Sequence, residues 1–129
     1  FPTTVPSNAA LPIYTVAIVG GAAVLLPTVD NAGTGNKLGT HRYVRFNVPT
    51  TRNITITASS SNPNTPDTDF LVYRAGTLVT AATSPPAPSE VKTFNAAAGE
   101  YVLDVDDCAN GCDPSEGTPG DYNLTVLIN

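Results

Sequence analysis

The stretch "DVDDCANGCDPSEGTPGD", Asp104 to Asp121, gathers both cysteines and the carboxylates Asp104, Asp106, Asp107, Asp113, Glu116 and Asp121. Three chemistries draw on such a set: ligation of a hard cation, thiol redox work and hydrolysis by paired carboxylates. Calcium wants several carboxylate and carbonyl oxygens converging from a flexible loop. Set as an EF-hand loop from Asp106, the stretch puts Asn110 and Gly111 at positions five and six. Cys108, however, falls at position three, and Gly117 stands where the bidentate glutamate belongs. No metal or other cofactor is therefore expected. The six carboxylates remain the candidate calcium ligands for a loop of another design, with Asp67 and Asp69 as a second set.

Cys108 and Cys112 flank Ala109, Asn110 and Gly111, and an Asn-Gly pair supplies a tight reversal. A redox centre has two residues between its cysteines and a helix after them. Here there are three, between strands, so a disulfide is expected. It closes so small a ring that it stabilises by only about 2 kcal/mol. The whole stretch reads as a stapled acidic loop.

Catalysis fares no better. A nucleophile needs a base that a third group orients, and the chain has one histidine, His41, in "GTHRYV". Neither a Gly-x-Ser-x-Gly elbow nor a His-Glu-x-x-His pair occurs. His41 reads as an exposed residue at the start of a strand. Asp104 and Asp106 would lie about 7 Å apart on one outward strand face, a convex place for a hydrolytic pair. No catalytic residue is assigned, and the chain is read as not an enzyme.

The elements that must position these residues are strands. At 129 residues the chain is long enough for one domain with a core. Apolar residues make up 41% and charged residues 13%, about half the usual charged share. Twelve prolines and ten glycines, with abundant Thr, Ser and Asn, suit short strands joined by turns. Charge is split along the chain. Lys37, Arg42, Arg45 and Arg52 stand against Asp30 alone in residues 1–66, whereas ten acids face Arg74 and Lys92 in the remainder. The net charge of −5 and the absence of a basic block argue against a nucleic-acid partner. The longest apolar run, Leu11–Leu26, is too short and broken for a membrane span; it reads as two strands around Gly20–Gly21. Low Lys and high Thr, Asn and Pro suit an extracellular bacterial protein. A start at Phe1 suggests a piece of a longer one.

Residues 1–12, with three prolines, read as a linker or extended edge segment, and 13–129 as one domain. "RYVRFNV" alternates, with Val44, Phe46 and Val48 on one face; "NITITAS" follows with Ile54, Ile56 and Ala58. With "PTTR" between them, the two read as a hairpin with one wet face. "DFLVYR" is apolar on both faces, as in a central strand, and Ala75–Gly76 turns into the next strand. "EVKTFN" is a further strand. In "YVLDVDD" Tyr101, Leu103 and Val105 face the core, with Val102, Asp104 and Asp106 opposite. "YNLTVLI" turns Tyr122, Leu124, Val126 and Ile128 inward. The expectation is an all-β, jelly-roll-like antiparallel β-sandwich of about eight strands.

"HRYVRFNVPTTRNITITASS", "DTDFLVYRAGTLV", "FNAAAGEYVLDV" and "GDYNLTVLI" together resemble the bacterial pre-peptidase C-terminal domain, which is similar to the collagen-binding domains of bacterial collagenases. Its Y-x-F-x-V, D-x-D-L-x-L-Y, G-x-Y-x-V-x-V and G-x-Y-x-L-x-V strands fall at Tyr43–Val48, Asp67–Tyr73, Gly99–Val105 and Gly120–Val126. The resemblance covers residues 37–129. It implies a non-catalytic module on exported hydrolases, serving secretion, targeting or binding of an insoluble polymer, in some cases with calcium.

The expected function is thus an accessory domain of an exported bacterial hydrolase, a peptidase in the first place, secreted or at the cell surface. Its partners would be the catalytic domain of the same polypeptide and an extracellular polymer. The alternatives are a stand-alone carbohydrate- or collagen-binding module and a stalk domain of a surface protein. Tyr43, Arg45 and Arg52 form the candidate ligand-binding surface, since Tyr and Arg stack and hydrogen-bond well at interfaces.

Overall fold

Alternation of small apolar and hydroxyl side chains dominates the chain, and the computed structural model turns it into strands. It describes residues 13–15, 24–26, 41–61, 66–107 and 123–129. Among these are β1 (Ile13–Thr15), β2 (Val24–Leu25), β3 (Arg42–Val48), β4 (Arg52–Ser60), β5 (Thr68–Arg74), β6 (Thr77–Ala82), β7 (Ser89–Ala96), β8 (Gly99–Asp107) and β9 (Leu124–Ile128). They form two sheets, ordered β1-β3-β8-β5-β6 and β2-β9-β4-β7. All pairings are antiparallel except that of β1 with β3. The fold is an all-β sandwich. The Pro-rich start, residues 1–12, lies outside the described residues, as does Tyr122.

The core lies between the sheets. Val44, Phe46, Val48, Phe70, Val72, Leu103 and Val105 from the five-stranded sheet meet Ile54, Ile56, Ala58, Leu124, Val126 and Ile128 from the other, all at most 2% exposed. Each large side chain so buried stabilises the fold by about 1.5–3 kcal/mol before entropy is charged against it. Phe46 stacks on Tyr101 at 5.2 Å between centroids, and Phe94 meets the same tyrosine edge-on at 6.1 Å.

The expected β3–β4 hairpin does not form. β3 lies between β1 and β8, whereas β4 lies between β9 and β7 in the opposite sheet. Residues 49–51 therefore carry the chain across the core. A period of two says which face is buried and not which strand lies alongside. An arch between sheets and a hairpin within one produce the same pattern. Among the described strands, only β5 and β6 are consecutive neighbours within a sheet. Ala75 and Gly76, with φ of 48° and 76°, make their two-residue turn, the backbone form that suits the strand twist. As expected, β5 is a central strand, held between β8 and β6.

Polar anchors tie the ends. Gly99 has φ 143°, and a Cβ there would stand 3.1 Å from the Arg74 guanidinium. Arg74 donates to the Ala98 carbonyl at 2.7 Å, and the Tyr101 hydroxyl donates to the Ala97 carbonyl at 2.8 Å. At the other end the Pro-rich crossover into β7 receives the Thr68 amide at Ala87 (2.8 Å) and the Ser60 amide at Pro88 (2.9 Å).

The outer faces of the two sheets differ in chemistry. On the four-stranded sheet, register places Asn53 opposite Asn95, Thr55 opposite Thr93, Thr57 between Val91 and Leu127, and Ser59 between Ser89 and Thr125. Thr55 and Thr93 share a hydroxyl hydrogen bond of 2.8 Å, Ser59 donates to Ser89 at 3.0 Å, and Asn95 donates to Asn53 at 3.1 Å. The outer face of the five-stranded sheet carries Arg45, Asp69, Asp104 and Asp106, whereas Arg52, Glu90 and Lys92 of the four-stranded sheet stand at the alternate, core-side positions of β4 and β7.

Candidate functional site

The site is built on three adjacent strands of the five-stranded sheet. Because side chains alternate, β3 sends Tyr43 and Arg45 outward, β8 sends Val102, Asp104 and Asp106, and β5 sends Asp69, Leu71 and Tyr73. Register sets Asp106 beside Asp69, Asp104 between Tyr43 and Leu71, and Val102 between Arg45 and Tyr73. The result is an acidic end that grades into a Tyr/Arg end.

His41 stands at the acidic end. Its Nδ1 lies 2.7 Å from Asp104 Oδ1, and its Nε2 lies 3.7 Å from Asp106 Oδ2. The ring stacks on Tyr43, with centroids 6.2 Å apart and planes 14° apart. Its side chain is 23% exposed, so the expectation of an exposed strand-start residue is corrected. Two carboxylates about 7 Å apart on a strand face leave a gap that an imidazole can bridge. The contact spans 63 residues of sequence, and nothing local announces it. Both ring nitrogens thus face carboxylates, and a protonated ring would hold the two acids together as an electrostatic clamp.

Burial dominates the proton affinities. It pushes Asp106 up to about 6, reinforced by Asp104, Asp69 and Asp107 and opposed by His41. Asp69 is also raised to about 6, by burial first and then by Asp67, Glu90 and Asp107. Tyr43 rises to about 12 because it is buried and faces Asp104 and Asp106. Two of the carboxyls thus take protons near pH 6.

The six candidate calcium ligands do not share one face. Asp104 and Asp106 point outward, whereas Asp107 points to the core side, where it accepts from Ser60 Oγ and from the Asp67 amide at 3.1 Å. The reason is again strand parity: "DVDD" puts its adjacent carboxylates on opposite faces. Asp113, Glu116 and Asp121 lie outside the described residues, as do Cys108 and Cys112 with their expected disulfide. Of the second set, Asp67 and Asp69 each keep a buried Oδ1 without a hydrogen-bond partner, and burial raises Asp67 as well. No group of three His, Cys, Asp or Glu residues among the described residues is arranged to hold a metal ion.

The expected binding trio is divided. Tyr43 and Arg45 are neighbours on β3, but Arg52 opens β4 in the opposite sheet, so the three do not form one platform. Tyr73, which was not singled out from the sequence, takes the third place in the row of Arg45 and Val102. "DFLVYR" looks apolar on both sides, and only its pairing with β8 reveals which side carries the tyrosine.

No family model matches the chain, and no curated protein matches it in sequence. Solved structures do share its architecture. The pre-peptidase C-terminal domain of a collagenase from Bacillus anthracis superposes with a TM-score of 0.65 at 13% identity, over 95% of this chain and 100% of that one. A surface-associated copper-binding protein of Methylomicrobium album BG8 superposes with a TM-score of 0.60 at 13% identity, over 91% and 98% of the two chains. At such identities the likeness is one of fold: the chain is an all-β sandwich of the kind seen in the collagenase's pre-peptidase C-terminal domain.

Proposed function

We propose that this chain is a non-catalytic accessory domain of an exported bacterial hydrolase, a peptidase in the leading reading. It holds its catalytic partner near a polymeric substrate through the outer face of the five-stranded sheet. The observation that carries the reading is the row Arg45–Val102–Tyr73 beside Tyr43. It sets two phenols and a guanidinium around an apolar centre, the side chains that contribute most at interfaces. His41 supports it from the chemical side, since both ring nitrogens face carboxylates. The likeness in fold to a collagenase's pre-peptidase C-terminal domain points the same way, and the secreted or cell-surface setting and the catalytic partner on the same polypeptide are drawn from it. The reading needs no cofactor.

Sedimentation of the protein with collagen fibrils, with casein turnover measured in parallel, tests this. Retention on the fibrils should drop at least tenfold in a Tyr43→Ala/Arg45→Ala variant, with no casein hydrolysis by either protein. Hydrolysis that disappears in His41→Ala would show the domain to be an enzyme. Fibril retention that is absent, or indifferent to the double variant, would remove this face from the proposal.

A further inference from the structure

The outer face of the four-stranded sheet has a different chemistry, and it supports a second surface. No Asp, Glu, Lys or Arg stands at any outward position of β4, β7 or β9 among the described residues. Surfaces of small soluble domains carry about 25–35% of such residues, with both signs interspersed. Instead the face repeats hydroxyls and amides in bonded cross-strand pairs, Thr55 with Thr93, Ser59 with Ser89 and Asn53 with Asn95. Between the first two pairs runs the row Val91–Thr57–Leu127. Val91 is 57% exposed, and Leu25 of β2, beside Thr125, is 65% exposed. One row with apolar ends, Val91–Thr57–Leu127, therefore lies between hydroxyl rows, and Leu25 extends the row of Ser59 and Thr125.

We infer that this face is a contact surface for a neutral, hydroxyl-rich polysaccharide. Three properties point to that partner. At the outward positions a charged polymer would find no counter-charge, the exposed Arg52 and Lys92 of these strands being at the alternate positions, whereas a neutral one meets no ion there that must lose its water. A sugar ring offers hydroxyls around its rim and C–H groups on its faces, and the rows offer hydroxyls and methyl groups in alternation. Each hydroxyl has one donor and two acceptor sites. A bonded Thr–Thr or Ser–Ser pair spends one donor internally, which fixes both side chains and leaves the remaining sites outward. Binding then costs little side-chain ordering. Strands about 4.8 Å apart repeat the pattern across the sheet, as suits a polymer better than a single small molecule. This goes beyond the protein-polymer contact proposed for the opposite face and uses different residues.

The test is a depletion isotherm of the full chain on microcrystalline cellulose, chitin and insoluble β-1,3-glucan, with carboxymethylated cellulose as the charged comparison, at low and molar salt. Retention is expected on at least one neutral polymer and not on the carboxymethylated one. It should change less than twofold with salt, because no ion pair contributes. Val91→Glu/Thr93→Glu, placed on the exposed edge strand so that the fold survives, should lower the affinity at least tenfold with an unchanged melting curve. Tyr43→Ala/Arg45→Ala should leave it as it was. Four outcomes overturn the inference: no retention on any neutral polymer, retention indifferent to the β7 variant, retention lost only with Tyr43 and Arg45, or a self-associating protein that the β7 variant renders monomeric. Loss of fibril retention in the Tyr43/Arg45 variant would stand whatever the glucans show, so the two readings fail separately.

Discussion

The two outer faces of the sandwich are made by the same device, alternation along extended strands, yet they carry opposite chemistries. On the five-stranded sheet His41, Asp69, Asp104 and Asp106 crowd together, with two carboxyls raised to about 6. On the four-stranded sheet neutral side chains satisfy one another in pairs. The first face is sensitive to protons and to single charges; the second is not. The contrast shows that a sheet face is a chemical unit, assembled from strands far apart in sequence, and that mean composition conceals it.

The largest expected break in that contrast is His41→Ala. It leaves Asp104 and Asp106 on one strand face, partly buried, without the imidazole between them. Removing one partner of a fully buried pair costs 3–5 kcal/mol, and partial exposure reduces this to about 2 kcal/mol at pH 7. Urea denaturation would measure the loss. Adding Asp106→Asn to that variant should restore about half of it, which a double-mutant cycle separates from packing effects. An unchanged midpoint in His41→Ala would mean that the clamp carries no stability.

A middle-sized effect is expected from pH. The folded-state affinity of Asp69 for its proton is raised, so between pH 4 and 6 the native protein binds more protons than the unfolded chain. This group's contribution therefore makes stability fall as pH rises through that window. Asp69→Asn should raise the melting temperature by about 3 °C at pH 7, and the gain should shrink several-fold at pH 4, where the folded carboxyl is protonated and the unfolded one partly so. Thermal scans at the two pH values decide it, and a fall at pH 7 would show that the carboxylate is stabilised by a partner.

The smallest effect is predicted on the other face. Thr55→Val/Thr93→Val keeps the strand shape and removes both hydroxyls together, so stability should move by less than about 0.5 kcal/mol at any pH from 4 to 8. A loss of several kcal/mol would mean that the paired hydroxyls are structural, and the contrast between the faces would lie in placement rather than in sensitivity.

Much of this was legible without coordinates. The alternation of Val44, Phe46 and Val48, of Ile54, Ile56 and Ala58, and of Tyr101, Leu103 and Val105 placed these residues in the core, because burial of one face follows from local periodicity alone. Ala75–Gly76 announced its turn, because positive φ at two successive residues is a local requirement. Local pattern thus tells which positions are buried and where the chain reverses tightly. The assignment of β3 and β4 to opposite sheets, the separation of Arg52 from Tyr43 and Arg45, and the choice of Ser60 as the partner of Asp107 came from the folded arrangement. It alone brought His41 across 63 residues to Asp104. Strand partnership is a long-range choice, made by the closing of a whole core and not by any segment, so the chemistry of a face assembled from several strands cannot be read from one of them.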